Sequence, residues 1–170
     1  MRILGLTDIH GVLGSSASPG GGPPDRAVLE PRLQSLLSTA DTVDCILISG
    51  DITHFGGRRE AAAALDLLRT AGKPVFLVPG NCDTQGAVEY FDDLGVNLHG
   101  SAVRYGGFTF AGAGGALPGP MSTPTVYSEE QFAALFDALS ERIGPEEELI
   151  LVSHQPPRGT KLDRALGVRH

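Results

Sequence analysis

Cysteine is scarce in this chain: only Cys45 and Cys82 occur among 170 residues. Two thiols cannot build a disulfide framework. With no Cys-x-x-Cys pair, neither a zinc ribbon nor thioredoxin-like redox chemistry is indicated. Basic residues are outnumbered as well. Thirteen Lys and Arg against twenty Asp and Glu give a formal net charge of −7. That balance argues against generic nucleic-acid or membrane-surface binding, whose affinity rests on clustered cations. It does not exclude a phosphate substrate, because bound metal ions reverse the local charge. No apolar run approaches the roughly 20 residues that span a bilayer. Asp8 and His10 interrupt the N-terminal apolar stretch where a signal peptide would need it continuous. A soluble, cytoplasmic protein that does not engage membranes is therefore expected. Internal repeats are absent too, and the first apolar run leads into no glycine fingerprint, which disfavours a Rossmann-type nucleotide binder.

Short apolar runs are present, alternating with helix-like segments in the signature of an α/β protein. At 41% hydrophobic residues the chain can bury a real core, and its length suits one domain over residues 1–170. The runs Arg2–Thr7, Val43–Ser49, Pro74–Val78 and Glu148–Ser153 read as strands, the second nearly continuous as in a buried parallel sheet. Ala102–Tyr105 and Phe108–Ala111, separated by Gly106-Gly107, read as a hairpin. Helices are expected from Arg58 to Ala71 with Gly72 as the stop, from Gly86 to Leu94, and from Ala27 to Ala40. A further helix should start at the capping box Ser128-Glu129-Glu130-Gln131 and run to about Ile143. The Gly/Ser/Pro-rich stretch 14–24 reads as a loop.

The chemistry sits at the carboxyl ends of the four strand-like runs. The first runs into Asp8-Ile9-His10, the second into Gly50-Asp51, the third into Gly80-Asn81-Cys82-Asp83, and the last into His154. Ligands of open α/β sheets bind beyond the carboxyl ends of the strands. If the strands are parallel neighbours, Asp8, His10, Asp51, Asn81 and His154 converge on one rim. Carboxylate, amide oxygen and imidazole together suit a first-row divalent metal such as Mn, Fe, Zn, Ni or Co. A pair of such ions clamps a phosphoryl group and activates water for in-line attack. Each residue alone has a bland reading. Asp8 and Asp51 are good turn residues, Pro79-Gly80-Asn81 is a good turn by itself, and His10 and His154 could be merely solvated or mark a strand's exit. Four strand ends agreeing is what favours the site.

Asp8-x-His10, Gly50-Asp51, Gly80-Asn81-x-Asp83 and the late His154, in that order, resemble the motifs of the calcineurin-like metallophosphoesterase family, within a prokaryotic subgroup carrying Gly-Asn-Cys-Asp. The resemblance spans essentially the whole chain. It implies a four-layer α/β/β/α sandwich of two β-sheets. It also implies two divalent metal ions, manganese foremost, with Asp8 and His10 on the first, Asp51 bridging, and Asn81 and His154 on the second. The implied activity is phosphohydrolase, most simply a phosphodiesterase, with a phosphoester substrate shaped by loops 15–25 and 117–127.

Two departures qualify that picture. Many members carry His where this chain has Cys82, and that His is thought to protonate the leaving oxygen; Asp83 and His54 are the candidates to take its place. The family's C-terminal Gly-His-x-His has no match after His154, so the chain is expected to be C-terminally truncated, short of final strands and two ligands, with an exposed sheet edge. These departures keep a non-catalytic metal- or phosphate-binding or scaffolding role open as the alternative. A homo-oligomer also stays open. Cys45 is expected in the core, His99 in a structural or exposed role, Gly112–Gly115 as tight backbone near the site, and Glu146–Glu148 as a solvated surface.

Overall fold

The structure, a computed structural model, describes residues 1–10 and 35–162. The 14–24 loop, the 15–25 substrate loop and most of the 27–40 helix lie outside the described residues. Three parallel strands, β1 (Ile3–Leu6), β2 (Cys45–Ile48) and β3 (Val75–Leu77), form one sheet in that order. Ile3 pairs with Cys45 and Ile46 with Val75, so the three carboxyl ends finish at a common level. A second sheet has the order β4 (Ala102–Tyr105), β5 (Phe108–Ala113), β6 (Leu149–Ser153). Its first two strands are an antiparallel hairpin turning at Gly106 and Gly107, both at positive φ (59° and 87°) as a tight two-residue turn requires. Strand β6 runs parallel to β5. The four strand ends therefore belong to two sheets and not to one row of parallel neighbours.

Helices α1 (Arg58–Arg69) and α2 (Gln85–Asp93) pack on each other and on one face of the first sheet. The Glu60 carboxylate accepts from the Gly57 amide at the start of α1, and Gly72 follows its end at φ 65°. Arg58 joins the two helices by pairing with Asp93 at 2.7 Å and lying over the Tyr90 ring. Helix α3 (Glu129–Arg142) opens with the expected capping box: the Ser128 hydroxyl accepts from the Gln131 amide, and the Gln131 side chain accepts from the Ser128 amide.

Residues alternate along β2. Ile46 and Ile48 enter a cluster with Ala61, Leu65, Leu68 and Phe91 from the helices. Cys45, on the opposite face, enters a second cluster with Phe76, Val78, Leu98, Phe110 and Val152, which joins the two sheets. Phe76 stacks on Phe110 with centroids 5.2 Å apart. Each fully buried Ile, Leu or Phe contributes about 2 kcal/mol of apolar transfer. Burial on both faces is what anchors β2, and with it the position of Asp51.

Among the described residues β6 pairs only with β5, and Leu149 and Leu151 are each 47% exposed. Glu146 and Glu148 are exposed, as expected of a solvated acidic run, while Glu147 is partly covered. Glu147 accepts from Arg104 at 2.6 Å, from the Thr109 hydroxyl and from the Gly144 amide, tying the turn before β6 to the hairpin. No helix among the described residues is long and apolar enough to cross a membrane.

Candidate metal centre

The loops leaving β1 and β2 run alongside each other. The Asp8 amide donates to the Gly50 carbonyl at 3.1 Å and the His10 amide to the Asp51 carbonyl at 2.8 Å. That pairing forces an unusual backbone. Asp8, His10, Asp51 and Phe55 are the non-glycine residues at positive φ among those described, at 48° to 56°. Left-handed geometry costs an L-residue about 1–2 kcal/mol, and such strain gathers where a side chain must be aimed against local preference. Three of the four are candidate ligands.

The third loop is fastened to the second through Asp83. Its carboxylate is fully buried and accepts from the Ile52, Thr53 and Gly80 amides (3.2, 2.6 and 2.8 Å) and from the Thr53 hydroxyl (2.9 Å). Burial pushes this carboxyl above the usual range while the four donors pull it back. With no exposure and its oxygens engaged by these donors, Asp83 positions the loops and offers nothing to a leaving group. The same fastening aims Asp51, whose Oδ1 also accepts from the Cys82 amide at 2.9 Å.

Asp51 is buried, and its two oxygens face different histidines. Oδ2 lies 3.7 Å from His10 Nε2, and Oδ1 lies 3.6 Å from His154 Nε2. On the first side Asp8 Oδ1 is 3.8 Å from the same His10 nitrogen, and Asp8, His10 and Asp51 form a group able to hold an ion. On the second side Asn81 Oδ1 is 3.0 Å from His154 Nε2. Thus Asp8, His10, Asp51, Asn81 and His154 all come together, with His154 delivered from the other sheet by β6 and held by its amide on the Ala113 carbonyl.

The second half passes a chemical test of fit for a cation. His154 Nδ1 lies 2.8 Å from the Ser49 carbonyl, which can only accept, so Nδ1 carries the proton and Nε2 presents its lone pair. Asn81 Nδ2 is directed to the Cys82 sulfur, leaving Oδ1 facing inward. A carboxylate oxygen, an amide oxygen and an imidazole nitrogen then converge. Such a set is satisfied by a divalent cation, and the carbonyl behind the imidazole is the support that metal-binding histidines require. The Ser49 carbonyl had no signature in the sequence, being a backbone group.

His54 and Cys82 adjoin the first half. His54 Nδ1 is 3.4 Å from His10 Nδ1, and His10, His54 and Cys82 form a further group of potential ligands. Burial, then the Asp51 charge, push the Cys82 thiol up to about 12. His99 has a structural role, accepting from the Gly114 amide and stacking on Tyr127. Gly114 packs tightly against Pro79 and Gly115 against Tyr127 and Thr125, the Gly115 amide donating to the Pro79 carbonyl at 2.8 Å. Loop 117–127 is moored behind the site, where the Thr125 amide donates to the Asn81 carbonyl.

Comparison with known proteins gives a consistent result. A family model described as calcineurin-like phosphoesterase matches residues 1–169. The uncharacterized protein MJ1162 of Methanocaldococcus jannaschii is 32% identical over 163 residues, which is 96% of this chain. The chain spans 64% of that relative's length. Among solved structures, TT1561 of Thermus thermophilus superposes with a TM-score of 0.65 at 22% identity, covering 88% of this chain and 66% of that one. A dimetal phosphatase from Danio rerio superposes with a TM-score of 0.56 at 16% identity, covering 92% and 70%. Likeness at these identities speaks for a shared α/β fold.

Proposed function

The chain belongs to the calcineurin-like phosphoesterase family, and on that footing we propose that it is a divalent-metal-dependent phosphohydrolase acting on phosphodiesters or small phosphoesters. Asp8, His10 and Asp51 would hold one ion, and Asp51, Asn81 and His154 the other, with manganese the first metal to try. The observation that carries the reading is the division of Asp51, one carboxylate oxygen turned to each histidine. The similarity to the Danio rerio protein, a dimetal phosphatase, supports two ions. The two apolar clusters on opposite faces of the first sheet support the four-layer sandwich.

When bound, two such ions neutralise phosphoryl charge and make water nucleophilic near neutral pH. The chain's own residues supply orientation. Asp83 locks the β2 and β3 loops together, Ser49 sets the His154 tautomer, and the buried face of Asp51 keeps bulk water from competing for Oδ1. Asp8 and His10 stay open, with side chains 53% and 40% exposed, so a phosphoester can approach from that side. Cys82 itself is not a strong general acid. A thiol held near 12 releases its proton poorly at neutral pH, so the reading extends to leaving groups that need little protonation, such as aryl oxides.

Metal-free protein supplied with manganese and an activated aryl phosphodiester is expected to hydrolyse it. Asp51→Asn should lower the rate by about 10³, since each 1.4 kcal/mol of lost stabilisation is tenfold and an ion supplies several. Wild type and variant both inert with manganese, cobalt and nickel would overturn the proposal. The same Cys82 thiol favours the second reading, a non-catalytic metal- or phosphate-binding protein. Its mark is close to two ions per chain by elemental analysis with no turnover.

A further inference from the structure

We propose that His10, His54 and Cys82 form an additional cation subsite, selective for thiophilic divalent ions such as zinc, cadmium or cobalt, sharing His10 with the carboxylate group. Ligand atoms of the three residues all lie within 4.8 Å of one another. The sharing follows from the two nitrogens of one ring. Nε2 of His10 faces Asp8 and Asp51, whereas Nδ1 faces His54 Nδ1 at 3.4 Å. For a tetrahedral ion with metal–nitrogen bonds of about 2.0–2.1 Å, two ligating nitrogens stand about 3.4 Å apart. The rings are tilted by 73°, so this approach is not a stacking contact.

Hydrogen bonds tie together the loops that carry the subsite. The Phe55 amide donates to the Cys82 carbonyl at 3.0 Å, and the neighbouring Thr53 and Cys82 segments are joined again through Asp83. His54 and Cys82 are thus carried on two loops tied to each other by one backbone bond and by the Asp83 carboxylate. His54 is steadied by edge-on contacts with His10 and Phe55. Two imidazoles and a sulfur make a softer donor set than Asp8, Asp51 and Asn81, and soft donors prefer zinc, cadmium or cobalt over manganese or magnesium. Binding forms the metal–Sγ bond and releases the Cys82 proton to solvent. His10 then ligates through Nδ1 and keeps its proton on Nε2. An ion held at the same time by the carboxylate group would require that proton to leave to solvent as well, making His10 a bridging imidazolate. A fourth position remains for solvent or another ligand.

The subsite stands apart from the phosphohydrolase reading, because its test needs no substrate and no turnover. Cobalt(II) added to the metal-free full chain should produce a near-ultraviolet thiolate-to-cobalt charge-transfer band, which carboxylate, amide and imidazole ligands cannot give. Cys82→Ser should abolish the band. His54→Ala should weaken cobalt binding at the band by roughly tenfold or more. Asp8→Asn, which removes an oxygen ligand from the other group, should leave the band in place. The only other thiol, Cys45, is wholly buried in the core. A cobalt-loaded wild type without the band, a band that survives Cys82→Ser, or unchanged affinity in His54→Ala would overturn the proposal, whether or not phosphodiester hydrolysis has been detected.

Discussion

Gly80 approaches Asp51 more closely than any side chain would permit: a Cβ on Gly80 would lie 2.0 Å from Asp51 Oδ1 and 2.1 Å from its amide nitrogen. The third loop reaches the Asp51 carboxylate only because this position is bare. Gly80→Ala is expected to destabilise the protein by about 3 kcal/mol or more, the upper range for overpacking, and to reduce metal uptake with it. Gly119→Ala, where an added Cβ would meet nothing within 4 Å, should change stability by no more than about 0.5 kcal/mol. Urea midpoints of the two variants make the comparison, and equal midpoints would contradict it.

Asp83 shares its residue type with Asp8 and Asp51 but acts differently. Asp83→Asn replaces one of two accepting oxygens with a donor that must face an amide donor. We expect a loss of about 3 kcal/mol from the unsatisfied buried group and a fall of 10–100-fold in metal affinity, as for other groups that orient ligands. Isothermal titration with manganese measures the second effect. An Asp83→Asn protein of wild-type affinity would show that the clamp does not position Asp51.

Asp8 at φ 50° exchanges stability for aim. Asp8→Gly removes the left-handed penalty and is expected to raise the stability of metal-free protein by about 1 kcal/mol, while manganese binding collapses. Thermal melts with and without manganese separate the two effects. A variant less stable than wild type without metal would contradict the assignment of strain.

Glu147 gives a pH signature far from the site. Bonds from Arg104, Thr109 and the Gly144 amide hold its carboxyl down to about 2, against an ordinary 4.5. In the window between those values the unfolded chain binds the proton and the folded protein does not, so stability rises with pH. The contribution is complete above about 4.5 and lost as pH falls through about 2. The stability difference between wild type and Glu147→Gln should therefore shrink across that window. A difference independent of pH would remove Glu147 from this role.

Much of the fold was legible because its signals are local. The apolar runs became β1, β2, β3 and β6, Gly106-Gly107 became the hairpin turn, and the Ser128 capping box opened α3, each governed by residues a few positions apart. The donor types at the strand ends, Asp8, His10, Asp51, Asn81 and His154, were legible for the same reason: each follows its own strand directly. Tertiary structure decided what those donors face. It put β6 in a second sheet yet brought His154 to Asn81, turned Asp83 inward onto Ile52, Thr53 and Gly80, and drew Glu147 out of an acidic run onto Arg104. It also set His54 against His10 across 44 positions of sequence. Side-chain direction at such loop positions depends on which backbones lie against each other, and that is settled by long-range burial and hydrogen bonding, which no local pattern encodes.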